Sequence, residues 1–358
     1  MSDFLILILS IIIIPAIFHF DKSSKKIGFW LCFLIFAFLS AFRGSTIGND
    51  THEYLRIFNE INNGTFDDTE TRYEKGYLLL NHTLSVFSNN AQIIFIFYSI
   101  FVYYSFGRFI LKYSKFPWLS LFLFLTYGFF SFSVTVVRQS IAIAILLYSF
   151  EPLIKGKLLK FLIIVGIAFT FHATAIFFCL AYFIRKLQLN TKTILIFLTF
   201  VIIASITFKL ILGYMFSLFT IYEHYDGGKY FGSTRFASVI YVVLSSSILI
   251  ISYFIIKKQI HRKTIPIKFA QQLTYETLLA MIAVGFYILS LQLNILDRIA
   301  IYFNFFSIIL LPNALMLINK NIRGLLTIGI SIFFTIYSCA LLWLRPEWNS
   351  VFPYSFCF

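Results

Sequence analysis

Long apolar runs separated by short polar breaks fill this chain. They lie near 4–20, 27–42, 91–107, 117–133, 139–151, 158–171, 173–184, 193–215, 235–256, 273–295, 299–319 and 325–344. Helix is the expected state of each, because backbone in hydrocarbon must satisfy its own polar groups. A full crossing takes about 20 residues, and several runs are shorter. The pattern therefore predicts an all-α polytopic membrane protein of about 12 transmembrane or half-spanning helices. It reads as a single integral membrane domain over 1–358, with larger loops near 43–76 and 216–234. Segment 77–90 is too polar for a span and fits an interfacial position. The first run lacks a basic flank and a small-residue cleavage site, so it reads as a span and not a removed signal peptide.

The densest polar punctuation follows the second run, at Phe42 to Phe58, FRGSTIGNDTHEYLRIF. Arg43 closes the run and Gly44 and Gly48 turn the chain. Asp50 followed by Glu53 has capping-box spacing, with Asp50 as N-cap and Glu53 reaching back. Tyr54, Phe58 and Ile61 then share one helical face, and Glu53, Arg56 and Glu60 line another. A short surface helix is expected there.

Composition agrees with this frame. The 358 residues are 59% hydrophobic, with a mean hydropathy of +0.87 and 47 Phe, and only 12% are charged. Soluble domains carry roughly 25% charged residues. The formal charge of +14 would suggest nucleic acid in a soluble chain, but in a membrane protein it reads as cytoplasmic loop charge. Most of the 29 basic residues fall in loops 21–26, 108–116, 151–160, 185–192, 257–272 and 320–324, whereas of the 15 acids only Asp21 and Glu151 do, with Glu276 falling on the same side. Those loops are therefore expected to be cytoplasmic, which puts both termini and loops 43–76 and 216–234 outside. The alternation holds only if 158–184 is split at His172. Its first half, 14 residues, reaches about 21 Å as helix, short of a core of about 30 Å. His172 is then expected at a recessed turn. The four Cys show no metal or disulfide spacing.

With that topology the unusual polar residues gather on the outer side. Arg43, Asp50 and Glu74 come from 43–76, Arg138 and Gln139 from VTVVRQSIAIA, His172 from AFTFHATAIFF, and Asp297, Arg298 and Tyr302 from NILDRIAIYF. Each has a plain alternative. Arg43 reads also as a snorkelling residue, Asp50 as a cap, and Glu74 as support for the helix starting near Gly76. Asp297 reads as a partner of Arg298 or a cap, His172 as a satisfied turn residue, and Tyr302 as an interface aromatic. Arg138 is harder to explain away, since a charge in hydrocarbon costs roughly 2.5–3.5 kcal/mol. Three Arg at span ends suit a recessed anionic ligand, because the guanidinium fork binds phosphate oxygens in pairs. No HExxH, Walker A, GxGxxG or GxSxG pattern occurs in a suitable context, so no metal site is expected. Gly227–Gly228 mark a turn in loop 216–234 that reads as a plain connector or a substrate cover.

These pieces together resemble the EpsG family of Wzy-type oligosaccharide repeat-unit polymerases. They are R-x(4)-G-x-D-x(3)-Y at Arg43, Gly48, Asp50 and Tyr54, E-x-G-Y at Glu74 to Tyr77, and RQSIA at Arg138 to Ala142. AFTFHATA around His172, DRIAIYF at Asp297 to Phe303, and PY at Pro353–Tyr354 follow in family order. Asn49 departs from the Thr usual before the Asp. The resemblance implies a glycosyltransferase of GT-C-like helical fold in the bacterial inner membrane, active at the periplasmic face. It would transfer a growing glycan from undecaprenyl diphosphate onto a lipid-linked repeat unit, in the biosynthesis of O-antigen, capsule or exopolysaccharide. Its partners would be lipid-linked oligosaccharides and membrane lipids, with a chain-length regulator and a flippase as possible companions, and no nucleic acid.

The residue chemistry suits that reaction without a cofactor. Arg138 and Arg298, with Arg43, are the expected diphosphate clamp, alongside Gln139. His172 is the first candidate base for the acceptor hydroxyl, with Asp50 or Glu74 second. Tyr54 and Tyr302 are placed to stack on sugars. The rival readings are a lipid-linked oligosaccharide flippase and a polysaccharide acyltransferase. The lack of internal symmetry and the gathering of polar groups on one face argue against the flippase.

Overall fold

The computed structural model describes residues 2–18, 21–67, 71–218, 236–261, 265–348 and 350–358. Most of loop 216–234, with Gly227–Gly228, lies outside them. The helices in chain order are α1 (Ser2–Ile17), α2 (Lys22–Ala41), α3 (Thr51–Asn62), α4 (Lys75–Ser85), α5 (Gln92–Tyr113) and α6 (Pro117–Thr126). They continue as α7 (Phe129–Thr135), α8 (Val137–Leu147), α9 (Phe150–Lys155), α10 (Leu158–Phe169), α11 (Leu180–Phe183) and α12 (Thr191–Leu218). The last are α13 (Phe236–His261), α14 (Ile267–Ser290), α15 (Asp297–Asn304), α16 (Ser307–Leu315) and α17 (Lys320–Leu344). The all-α polytopic reading holds. Among the described residues, 7 helices are long and apolar enough to cross a membrane, or up to 9 if each bent pair counts as one span. α12 and α17 leave most of their apolar surface uncovered, as expected of helices that face lipid, and the chain is membrane-embedded. The first part of the polar segment 77–90 lies in the short helix α4, which ends at Ser85.

The expected runs were realised with breaks. Run 117–133 is the pair α6 and α7, bent by 54° where Gly128 takes φ +97°. Run 299–319 is broken by a second bend, between the helices over 294–304 and 307–315. The split expected near His172 is present. α10 stops at Phe169, the chain turns through Thr170 and Phe171, and 3-10 turns begin at Ala173.

The chain packs into two units. The first comprises 1–152, 158–176 and 319–358. Its centre is α2 against α5, where Phe29, Phe33, Phe36, Phe95 and Tyr98 are buried. α8 packs on both α5 and α10, which sets the N-terminal turn of α8 near the end of α10. The final segment pairs back on the loop after α2. Gly44 N donates to Ser355 O at 2.8 Å, Cys357 N to Phe42 O at 3.0 Å and Gly48 N to Ser350 O at 2.8 Å. Gly48 adopts φ +80° there, a conformation open to glycine at little cost. The second unit comprises 153–157 and 177–318. In it α14 packs on α13, α15 and α16, around a cluster of Ile256, Leu273, Ala280, Leu310 and Ala314.

Candidate active site

Three residues far apart in sequence meet in the first unit. Glu74 ends the loop before α4, Arg138 sits in the first turn of α8, and His172 lies in the turn after α10. The Arg138 guanidinium is ion-paired through Nη1 with Glu74 Oε2. The other carboxylate oxygen faces His172 Nδ1 at 3.0 Å and accepts from the backbone N of Ala173 at 3.1 Å. The side chains of Arg138, Glu74 and His172 are only 20%, 15% and 11% exposed. Burial alone would raise the Glu74 carboxyl. The His172 hydrogen bond, the Arg138 charge and the Ala173 N–H outweigh it and hold the group down at about 2. Glu74 is therefore an anion at neutral pH. It orients Arg138 on one side and one nitrogen of the imidazole on the other. His172 Nε2 is buried and has no hydrogen-bond partner, and Arg138 Nε is in the same condition.

Gly76 explains why this loop comes so near α10. Its N donates to Thr170 O at 2.8 Å, and a Cβ at Gly76 would stand 2.7 Å from that oxygen. Gly76→Ala must push the 170–173 turn away and open the Glu74–His172 contact. We expect a stability loss of about 1–3 kcal/mol, read by thermal unfolding in detergent. An unchanged melting curve would show that the approach is dispensable.

Two aromatic side chains flank the triad. Tyr73, not anticipated from the sequence, lies under the Arg138 guanidinium, with 4.8 Å from its central carbon to the ring centroid. Tyr73 OH donates to Glu53 Oε1 at 2.6 Å, so the Arg138 face is tied to α3. The available signal was the position of Tyr73 next to Glu74 in RYEKGY. Tyr54 is buried, with its ring 5.8 Å from that of Tyr77, and its phenol is electrostatically coupled to Arg138.

The capping box at Asp50 and Glu53 does not form. Asp50 occupies the N-cap position without a side-chain cap bond. Glu53 cannot reach back because Arg56 holds it through Nε and Nη2, both at 2.8 Å, together with Tyr73. The two faces read from the sequence are nonetheless present. Tyr54, Ile57, Phe58 and Ile61 are buried, and Arg56 bridges Glu53 and Glu60. Asp50 is exposed. Glu74 stands at the N-cap of α4 but spends its carboxylate on Arg138, His172 and Ala173 instead of on the helix end.

Arg43 is 1% exposed. Its guanidinium stacks 3.8 Å from the Phe95 centroid, and Nη1 donates to Ser40 Oγ at 3.2 Å. Gln139 is fully buried beside Arg138 in α8. Arg298 and Tyr302 belong to α15 of the second unit, where Arg298 is exposed and Tyr302 is 2% exposed. No group of three or more His, Cys, Asp or Glu placed to hold a metal occurs among the described residues.

No curated protein and no solved structure matches the chain. A family model matches it over residues 26–356. The motifs that meet around Glu74 thus sit in a match spanning nearly the whole chain, and the protein belongs to the EpsG family, a Wzy-type polymerase-like family.

Proposed function

We propose that the protein is a polysaccharide polymerase of the bacterial inner membrane, acting on undecaprenyl-diphosphate-linked glycans at the periplasmic face. The observation that carries the reading is the Glu74 carboxylate shared between Arg138 and His172 Nδ1, with His172 Nε2 left unpartnered. A bonded Nδ1–H leaves Nε2 as the lone-pair nitrogen. In the reaction, the acceptor sugar hydroxyl gives its proton to His172 Nε2 as its oxygen bonds to the anomeric carbon of the growing chain. The bond from that carbon to the diphosphate oxygen breaks, and its electron pair leaves with undecaprenyl diphosphate. Glu74 steadies the imidazolium that forms, as a buried carboxylate does for a catalytic histidine. Arg138 meets the diphosphate charge, which grows in the transition state. Tyr54 lies beside this arrangement with Tyr77. Asp50 is exposed and apart from the triad's bonds, and Arg43 has no part in the scheme. The roles of Arg298 and Tyr302 rest on the DRIAIYF motif alone.

Surface glycans from a deletion strain test the reaction. Loss of a polymerase leaves single repeat units, and the wild-type gene restores the ladder. Repeat units stranded on the cytoplasmic side would indicate a flippase. Full-length polymer lacking a substituent would indicate an acyltransferase.

A further inference from the structure

The core of the second unit holds an acid. Glu276 of α14 has 0% of its surface exposed. It lies nine residues beyond Ile267, about 14 Å along the axis, in a helix long and apolar enough to span a membrane. Leu273 and Ala280, one turn to either side of it, and Leu310 and Ala314, which flank Asn313, form the apolar cluster described above. Gln272 Nε2 donates to Glu276 Oε1 at 2.6 Å, and Asn313 Nδ2 stands 3.0 Å from each carboxylate oxygen. These are neutral amides.

No cation balances the carboxylate among the described residues. Among the described side chains, the titratable groups on the surrounding elements are Lys192 on α12, Tyr241, Tyr253, Lys257 and Lys258 on α13, Lys268, Tyr275 and Tyr287 on α14, and Asp297, Arg298 and Tyr302 on α15. None of them is bonded or ion-paired to Glu276, and α16 carries no such group. A bare carboxylate removed from water carries a desolvation cost that neutral amides do not repay.

We propose that Glu276 is an intramembrane proton-binding site, and that its bound proton keeps α14 and α16 joined. As the neutral acid it uses its O–H as a donor, and rotation of the Asn313 amide presents Oδ1 as the acceptor. When the proton leaves, the buried anion must gain water or a cation. The element able to respond is α16, a short helix that follows a 45° bend. This site is separate from the triad and does not depend on the polymerase reading.

The test uses the full chain in lipid vesicles, with infrared difference spectra and thermal unfolding across pH. A carboxylic-acid carbonyl band that shifts in heavy water is expected in wild type at neutral pH. It should be absent from Glu276→Gln, which keeps the shape and the amide contacts. Asn313→Leu should move the band, because it removes the partner but not the acid. Raising the pH should cost wild type its band and its stability together, with Glu276→Gln spared the alkaline loss. A neutral-pH spectrum without the band, or a band that persists in Glu276→Gln, would overturn the proposal. So would stabilisation of wild type by sodium chloride but not by choline chloride, which would mark a metal-ion site. Glu276→Gln as unstable at neutral pH as Glu276→Ala would equally count against it.

Discussion

Arg138→Ala should collapse the glycan ladder to single repeat units while the protein remains in the membrane at wild-type amounts. In the proposed scheme Arg138 is the cation that meets the diphosphate charge, and Glu74 orients it. Removing a charge-stabilising donor of this kind costs on the order of 10²–10³-fold in rate. The fold should survive at some cost in stability, because Glu74 loses one partner but keeps His172 and the Ala173 N–H. Arg138→Lys should recover part of the chain length, since it restores a charge without the planar fork. A full ladder from Arg138→Ala at equal membrane amount would remove Arg138 from the site.

The second large effect concerns Glu74, in both activity and stability. Glu74→Gln leaves the Arg138 charge without its partner in a site where both side chains are mostly buried. Breaking such a pair costs on the order of 3 kcal/mol. It also removes the anion that steadies protonated His172, so elongation should fall even where the protein stays folded. The pH dependence follows from the depressed carboxyl. Its ordinary value is 4.5, and its three partners, acting against burial, bring it to about 2. A depressed carboxyl contributes stability that is complete above its unfolded value and lost as pH falls through the folded one. Wild type should therefore lose about 3 kcal/mol between about pH 4.5 and 2. Glu74→Gln should lack that part of the acid limb when melting in detergent is followed against pH. Identical acid limbs would show that the carboxyl is not held down.

Residues read in isolation singled out the three side chains that meet at Glu74 and did not show how they bond. Arg138, His172 and Glu74 stood out because a charge beside apolar runs, a histidine at a forced break and an acid before a helix are each unusual in this composition. Nothing in their spacing showed that Glu74 would serve the other two, since the contact spans 64 residues to Arg138 and 98 to His172. Tyr73 escaped notice because it looks like any interfacial aromatic until Arg138 is found over its ring. The Asp50–Glu53 capping box had the right spacing, but the local bond lost to Arg56 and Tyr73, whose charge and hydroxyl reach Glu53 at shorter range.

The sequence by itself determined the helical membrane class, the break at His172, the amphipathic faces of α3 and the family motifs. These depend on local hydropathy and on the backbone's need for internal hydrogen bonds, which short windows record. Only the tertiary structure decided which polar groups share a charge. It decided too that Arg43 is buried against Phe95, that Gly76 must lack a Cβ to seat against Thr170, and that Glu276 is bonded to the Gln272 and Asn313 amides. Those outcomes turn on packing between helices distant in the chain, and burial raises the stakes of each pairing because water is no longer present to solvate whatever is left alone.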